Sequence, residues 1–357
     1  MKNFLDDIDE LKKYNQLKET ESVAFLPEQL LDSWQSAKVT ALKITPQKFN
    51  NLAVCGMGGS NLASEIIRGV YSEQLEQPLI LIRNYGLPKC IKIGSLVIIS
   101  SYSGNTEETI SCFLEAKKRK AKIVCISSGG RLEALAKKTK TPFFKLNSRY
   151  NPSKQPRYGL GLQLMAVLVI FCKLKLIKIG DREVIGLARH LKGLDRSLGW
   201  AAKTDINPAK QAAIFLKGSV PLVVGSGFLA ANAHILANQL NESAKVLAYP
   251  YLLPELNHHL LDGLMLPPAS ARQIKFLFFN SNQLHPRIQK RYKITQKILK
   301  KQKIEFMEYL LASDEKLASS LEILFFGSYL SFYLAVLNQQ EPAAVPWVDY
   351  LKAELKK

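Results

Sequence analysis

Short apolar segments that alternate with longer amphipathic stretches constrain the fold of this chain more than any other feature. Apolar runs closed by glycine, serine or a charge are typical of buried strands in a parallel sheet, and the stretches between them are typical of helices that cover it. The strands predicted in the first half are Asn51–Cys55, Leu79–Arg83, Ser95–Ser100, Lys122–Ser127 and Phe143–Leu146. Helices are predicted between them at Thr106–Arg119 and Arg131–Lys138. The pattern predicts an α/β fold.

The same order of strand, glycine turn and helix starts again in the second half. Pro221–Val224 is predicted as a strand, Gly225–Gly227 as a turn and Phe228–Leu240 as a helix. Further elements predicted downstream are strands at Lys245–Ala248, Ile274–Phe279 and Ile304–Tyr309 and a helix at Ser313–Leu337. A chain of 357 residues exceeds the roughly 100–200 residues of one typical domain. We therefore predict two domains, residues 1–185 with a helical leader and residues 186–357 with C-terminal helices and a tail, each a mostly parallel sheet flanked by helices.

The composition indicates a soluble protein in a reducing compartment. The longest apolar run, Leu160–Cys172, is interrupted by Gln163 and is too short to span a bilayer, so a buried core helix is predicted there. Met1–Lys12 is predicted to be helical and lacks the apolar core of a signal peptide. Five cysteines without paired or metal-ligand spacing indicate free thiols. We expect a cytoplasmic protein that needs no membrane, metal or cofactor.

The net charge of +19 favours an anionic partner. The most basic stretch, Pro286–Lys303, holds eight Lys/Arg and no acid, and its apolar positions predict an amphipathic helix with a solvated basic face. Because no zinc-finger, RNA-binding or basic-zipper pattern accompanies this stretch, nucleic-acid binding is not predicted as the main role. An anionic metabolite fits the charge equally well.

Two turns rich in glycine and serine follow the first and third predicted strands. The first, CGMGGSN at residues 55–61, has asparagine at the sixth position of the dinucleotide fingerprint and lacks the lysine of a P-loop. Glycines here would let the backbone approach an anion, but a tight packing turn explains them equally well.

The second turn, SYSGNT at residues 101–106, places three hydroxyls and a helix N-terminus at the carboxyl end of a strand, where open parallel sheets bind ligands. Asn105 or Thr106 could simply cap the helix. Ser101 and Ser103 add donors that a cap does not need, and a phosphate of charge about −1.5 to −2 could use them. We predict a phosphate site at this turn.

These two turns resemble those of the sugar isomerase (SIS) domain, and the whole chain resembles the bifunctional phosphoglucose/phosphomannose isomerase family of archaea and bacteria, which has two such domains. The resemblance runs nearly end to end. Besides the turns, it includes LPEQ at 26–29, QPR at 155–157, NESAK at 241–245, PELNH at 254–258 and YLK at 350–352.

The resemblance implies an aldose–ketose isomerase that interconverts glucose 6-phosphate, and mannose 6-phosphate, with fructose 6-phosphate through an enediol, without a cofactor. It implies that the substrate and its phosphate are held by Gly58, Gly59, Ser60, Ser101, Ser103 and Thr106. It further implies that Arg157 stabilises the enediolate and that Glu242 is the base. His258 would open the sugar ring from the neighbouring subunit of a homodimer, and Lys352 matches the C-terminal lysine of the family.

Local sequence pattern alone does not distinguish these proposed catalytic residues from ordinary surface side chains. Arg157 reads equally well as a surface arginine at a helix start, Glu242 and Lys352 as solvated side chains, and His259 is as good a candidate as His258. A sugar-phosphate sensor without catalysis, or an SIS isomerase of another sugar phosphate, stays open. The isomerase half of an amidotransferase is less favoured, because the chain has no N-terminal cysteine nucleophile.

The chain also departs from the family pattern. Ser243 replaces a common asparagine, His259 stands where asparagine is frequent, and His234 lies where a basic residue is common. The pair Ala343-Ala344 replaces a segment in which relatives often carry threonine, and a hydroxyl there is linked to handling both C2 epimers. Mannose 6-phosphate activity is therefore the less secure half of the assignment.

Overall fold

The computed structural model describes residues 4–267, 270–355 and 357 and divides into two compact units. The N-terminal unit is Phe25–His190, and the C-terminal unit combines residues 4–24 with Leu191–Lys357. The first two helices, α1 (Ile8–Lys13) and α2 (Glu19–Ala24), group with the C-terminal unit. The division into domains 1–185 and 186–357 stays a prediction.

The N-terminal unit is a five-stranded parallel sheet with helices. The strands are β1 (Leu52–Cys55), β2 (Leu79–Ile82), β3 (Leu96–Ser100), β4 (Lys122–Ser127) and β5 (Phe143–Lys145), in the order β2-β1-β3-β4-β5. The helices are α3 (Leu26–Val39), α4 (Gly59–Val70), α5 (Glu107–Lys118), α6 (Gly130–Lys138), α7 (Leu160–Lys173) and α8 (Asp181–Leu198), the last crossing into the C-terminal unit. All five strands and both helices predicted between them are confirmed, with ends that shift by one residue at most.

Burial explains why these strands were visible as apolar runs. Every residue of β1 and β3 is buried, as a parallel strand covered on both faces requires. Side chains of β3 and β4 pack with Phe113 of α5 in one cluster. The apolar helix α7, which the sequence predicted as a core helix, is buried along almost its whole length and packs against α3 and α4. Because β1 and β3 pair directly in parallel, their carboxyl ends lie beside each other.

The C-terminal unit contains a four-stranded parallel sheet. The strands are β6 (Val220–Ser226), β7 (Tyr249–Leu253), β8 (Ile274–Asn280) and β9 (Phe306–Leu310), in the order β7-β6-β8-β9. The helices are α9 (Pro208–Leu216), α10 (Ala230–Glu242), α11 (Leu256–Gly263), α12 (Ser270–Gln273), α13 (Pro286–Lys301), α14 (Lys316–Leu337) and α15 (Pro346–Glu354). Two parallel sheets flanked by helices confirm the predicted α/β class.

Helix α14 forms the centre of the C-terminal unit. It is long and apolar enough to cross a membrane by length and composition, but 94% of its most apolar window is buried inside the protein. It packs against α9, α10 and α2. Helix α14 is therefore a buried core helix of this unit.

Some predicted boundaries in this unit are wrong. The strand predicted at Lys245–Ala248 is absent, because Lys245 takes a left-handed backbone conformation with a φ of 55° and β7 begins only at Tyr249. The predicted turn at residues 225–227 is shorter, since Gly225 and Ser226 still belong to β6. A 3₁₀ turn over Gly227–Leu229 precedes α10, and β9 begins at Phe306 instead of residue 304.

Candidate functional site

The first glycine turn packs directly against the segment that carries Arg157. Gly58 precedes α4 with a φ of 49°, a conformation that favours glycine. A Cβ added to Gly59 would lie 3.1 Å from the carbonyl oxygen of Pro156 and 3.6 Å from the backbone nitrogen of Arg157. The glycine therefore permits a close approach between two parts of the chain that are almost 100 residues apart in sequence.

Ser60 and Asn61, which follow these glycines, join three strand ends. The backbone N–H of Tyr102 donates to Ser60 Oγ over 2.9 Å, which fastens the first turn to the second. The side-chain amide of Asn61 lies 3.2 Å from each of the carbonyl oxygens of Val54, Gly56 and Ile82, and so holds β1 beside β2. Asparagine at the sixth position of the glycine motif thus has a structural role in this sheet.

The second turn presents hydroxyls around the start of α5. The hydroxyls of Ser101 and Thr106 lie 2.9 Å apart, and the backbone N–H of Gly104 donates to Ser101 Oγ over 3.1 Å. Ser103 is exposed, and its Oγ accepts from the N–H of Asn105. The turn therefore places Ser101 and Thr106 side by side, with Ser103 at the surface.

The capping interpretation of this turn is wrong. Thr106 occupies the N-cap position of α5, yet within the part of the chain that the structure describes no side-chain cap bond is made there. Asn105 instead caps the next helix, because its Oδ1 accepts from the N–H of Arg131 over 3.0 Å. The first N–H groups of a helix have no intrahelical partners, so the start of α5 can donate to an anion.

Arg157 is buried, and its backbone lies beside the first turn. It lies in a short 3₁₀ helix, Pro156–Tyr158, with only 6% of its surface exposed. Its Nη1 donates to Gln155 Oε1 over 3.3 Å, and its guanidinium lies 5.3 Å from the centre of the Tyr158 ring. A buried, oriented guanidinium at a polar turn does not fit the surface-arginine interpretation, since arginines are almost never buried unless they are paired.

The segment that carries Arg157 is held by Asn151, Tyr102 and Gln29, to which the sequence prediction gave no role. Asn151 Nδ2 donates to the Tyr102 hydroxyl over 2.7 Å and to the Gln155 carbonyl over 3.0 Å. Gln29 donates to the carbonyl of Tyr158 over 2.8 Å. Burial raises the pKa of the Tyr102 hydroxyl, and the bond from Asn151 opposes that rise. The signal for Gln29 was present in LPEQ at 26–29, but its partner lies 129 residues away.

The three other predicted residues belong to the C-terminal unit. Glu242 is the last residue of α10, with an exposed side chain. Lys245 fastens this helix end, because its Nζ donates to the carbonyls of Glu242 over 3.0 Å and Glu341 over 2.7 Å. It also lies 3.2 Å from the carbonyl of Ser243 and 3.1 Å from that of Pro342. Lys245 therefore links the end of α10 to residues 341 and 342 through backbone carbonyls.

His258 and Lys352 lie on two further helices. His258 is exposed in the first turn of α11, and its neighbour His259 lies near the Tyr251 ring at 6.2 Å between centroids. Lys352 is exposed on α15, 3.9 Å from Asp349. The structure thus brings together Arg157 and all six predicted phosphate-binding residues in the N-terminal unit, whereas Glu242, His258 and Lys352 lie on separate helices of the C-terminal unit. Among the described residues, no group of three or more His, Cys, Asp or Glu side chains could hold a metal ion.

Solved structures share this fold. A hypothetical protein from Thermus thermophilus superposes with a TM-score of 0.72 at 14% identity, covering 98% of this chain and 92% of that one. The tagatose-6-phosphate ketose/aldose isomerase of Escherichia coli superposes with a TM-score of 0.66 at 16% identity, covering 92% and 96%. At these identities the likeness establishes the fold alone, an α/β fold that this chain shares with a ketose/aldose isomerase.

Sequence comparison identifies the family to which this chain belongs. Residues 205–355 match the model of the bacterial phospho-glucose isomerase C-terminal SIS domain. The bifunctional phosphoglucose/phosphomannose isomerase of Caldicellulosiruptor bescii is 30% identical over 94% of this chain and 98% of its own length. The D-glucosamine-6-phosphate 4-epimerase of Sulfolobus acidocaldarius is 25% identical over 59% of this chain and 63% of its own. The chain belongs to the bifunctional phosphoglucose/phosphomannose isomerase family, which confirms the resemblance and the prediction of an isomerase.

Proposed function

We propose that this chain interconverts glucose 6-phosphate and mannose 6-phosphate with fructose 6-phosphate through an enediol intermediate. The observation that carries this proposal is the burial of Arg157 beside the first glycine turn. That turn is bonded to the second turn, where the structure as described shows no side-chain cap at the start of α5. A phosphate at the start of α5, near Ser101 and Thr106, would orient the sugar through interactions remote from the bond changes. The guanidinium would then stabilise negative charge that develops on the enediolate oxygen.

In the proposed mechanism, Glu242 moves the proton between the two carbons. Its carboxylate accepts the proton from C2 of the open-chain aldose, and the C2–H electron pair forms the C1–C2 double bond as the carbonyl electrons move to O1. The hydroxyl proton on O2 then moves to O1, and the same carboxyl returns its proton to C1, which leaves the ketone at C2. A positioned general base typically contributes about 10²–10⁴-fold to the rate. His258 would transfer the proton needed to open the ring, because an imidazole can both donate and accept a proton.

The proposal includes a homodimer in the cytoplasm in which His258 serves the site of the neighbouring subunit. The exposure of His258 on α11 supports this assignment, since a side chain at the surface is available to a second copy. The test mixes two inactive variants, Glu242→Gln and His258→Ala. If histidine and glutamate belong to sites of different subunits, mixed dimers recover activity in a fraction of their sites. No recovery after verified subunit exchange would exclude this cross-subunit role.

The deciding experiment is a coupled assay with glucose, mannose and fructose 6-phosphates. Glu242→Gln should abolish turnover and leave fructose 6-phosphate binding nearly unchanged, whereas Glu76→Gln, a change of the same kind at an exposed residue, should be neutral. Full activity of Glu242→Gln would exclude it as the base. A wild-type protein that binds fructose 6-phosphate without converting it would be a sensor, and turnover of a different sugar phosphate alone would place the chain with another SIS isomerase.

Mannose 6-phosphate is expected to be the poorer aldose substrate. Ala344 is exposed and Ala343 is buried, so a threonine hydroxyl can be added at residue 344 without displacing packed atoms. Ala344→Thr should raise the ratio of mannose to glucose 6-phosphate turnover and leave the melting temperature unchanged. An unchanged ratio would exclude this position as the determinant of epimer choice.

A further inference from the structure

A cleft of about 360 Å³ between α11 and α13 contains none of the residues assigned to the reaction. Its apolar lining consists of Leu261, Ile294 and Ile298. Its cationic lining consists of Arg287, Lys290 and Arg291. The volume falls within the roughly 300–1,000 Å³ typical of small-molecule sites, which likewise combine apolar walls with a few charged groups.

The cleft is organised by a short chain of hydrogen bonds. Arg291 Nη1 donates to Asn257 Oδ1 over 3.2 Å, and Asn257 Nδ2 donates to Thr295 Oγ1 over 2.8 Å. These contacts hold the guanidinium beside α11, and among the described residues they use one of its five N–H donors. Thr295 is itself buried, so the arrangement is anchored in the core side of α13.

Helix α13 carries positive charge that its own sequence does not balance. Its sixteen residues include seven Lys/Arg and no Asp or Glu, and its first turn lacks an acid. Like charges three or four residues apart on a helix repel each other, and cations near a helix N-terminus oppose its dipole. Among the described residues none of these seven cations lies in an ion pair. An anion in the cleft would relieve this repulsion where Arg287 and Arg291 lie one turn apart.

We propose that this cleft binds a nucleoside di- or triphosphate. The base would lie on the apolar strip, and the phosphates would contact the three cations, with arginine well suited to bidentate contact with phosphate oxygens. A fatty acid carries a single charge and leaves two cations unmatched. A sugar phosphate has no apolar body for Leu261 and Ile294. The proposal is independent of the isomerase reaction.

The test is calorimetric titration of the whole protein with ATP, adenosine and inorganic tripolyphosphate at fixed ionic strength. We expect ATP to bind at least about tenfold more tightly than either fragment, a difference of about 1.4 kcal/mol. Arg287→Gln/Arg291→Gln should weaken ATP binding by about tenfold or more, because both proposed phosphate contacts are lost. Lys293→Gln/Lys297→Gln removes the same charge from exposed positions of α13 outside the cleft and should leave binding within about twofold.

Several outcomes would overturn the proposal. Equal losses of ATP affinity in the two double variants would indicate nonspecific attraction of a polyanion by the basic helix. RNA would be attracted in the same way. If tripolyphosphate bound as tightly as ATP, the base would contribute nothing and the apolar strip would not be a base site. If saturating fructose 6-phosphate displaced ATP, the ATP would be bound in the isomerase site and not in this cleft. If the arginine variants misfold, Ile294→Asp at a half-exposed cleft position supplies a second test and should also abolish ATP binding.

Discussion

The backbone N–H of Tyr102 donates to Ser60 Oγ over 2.9 Å and joins the turn after β1 to the turn after β3. Both groups are buried. A buried N–H that loses its partner costs about 1–3 kcal/mol, because it was desolvated on folding and regains nothing. One hydroxyl thus sets the spacing of the two loops that are proposed to hold the phosphate.

Ser60→Ala is therefore expected to lower the free energy of unfolding by about 1–3 kcal/mol and to raise KM for fructose 6-phosphate. Urea unfolding and steady-state kinetics measure the two effects. Ser64→Ala is the matched control, since Ser64 is buried in the same helix and its Oγ has no hydrogen-bond partner among the described residues. Equal effects of the two substitutions would show that the bond to Tyr102 has no special importance.

Gly104→Ala should destroy the second turn. Gly104 has a φ of 73°, and an added Cβ would lie 1.9 Å from the carbonyl oxygen of Gly129. Strain of this kind costs about 1–3 kcal/mol before the clash is counted, so we expect a lower melting temperature and loss of substrate binding. Gly186→Ala on α8, where an added Cβ meets nothing within 4 Å, should instead stabilise by about 0.5–1 kcal/mol. A Gly104→Ala protein with wild-type stability would contradict the turn geometry.

Arg157→Lys should lower kcat strongly and change KM little, because lysine keeps the charge but loses the planar donor group. The chain offers a close control in Arg149. Each arginine precedes a tyrosine and lies 5.3 Å from the centre of its ring, but Arg149 is exposed. Arg149→Lys should leave both constants unchanged. Comparable kinetic losses in the two variants would mean that Arg157 acts through packing on Tyr158 alone.

Stability at low pH should depend on Asp6. Burial tends to raise the pKa of Asp6, but hydrogen bonds from Thr204 and Lys210 outweigh burial and lower it. A carboxylate with a lowered pKa in the folded state stabilises the protein above its unfolded pKa, near 3.9, and the contribution is lost as the pH falls through the folded pKa. The stability gap between wild type and Asp6→Asn should thus be full at pH 6 and shrink below about pH 4.

Urea unfolding at a series of pH values measures this gap. Asp9→Asn, on the exposed face of α1, is the control for removal of a carboxylate from the same segment. A gap for Asp6→Asn that stays constant from pH 6 to pH 3 would show that the contacts of Asp6 with Thr204 and Lys210 do not depend on its charge.

The sequence predicted most of the sheet because buried parallel strands are continuous apolar runs with polar ends. Lys122–Ser127 was predicted with the bounds that the structure shows. Lys245–Ala248 failed, because a lysine gives no local sign of a left-handed backbone, and its ammonium bonds to carbonyls 96 and 97 residues away. The alternative in which Asn105 caps α5 could not be tested locally either, since the partner of its side chain, Arg131, is 26 residues away.

The candidate site was predictable to a similar extent. The hydroxyls and glycines of the two turns are adjacent in sequence, so pattern alone indicated them. The burial of Arg157 and the roles of Asn151 and Gln29 depend on contacts between distant segments, which no window of sequence contains. Glu242 and His258 entered only through the family resemblance, and their exposed side chains show why no local pattern marked them.

Lys245 gives the C-terminal unit one further property. Its ammonium is bonded at the same time to the end of α10 and to residues 341 and 342, a few residues before α15 begins. The helix that carries Glu242 and the segment that leads to Lys352 are therefore held by the same lysine side chain. Lys245→Met would loosen both, and the amides at the end of α10 and at the start of α15 should then exchange their hydrogens with solvent deuterium at similarly increased rates.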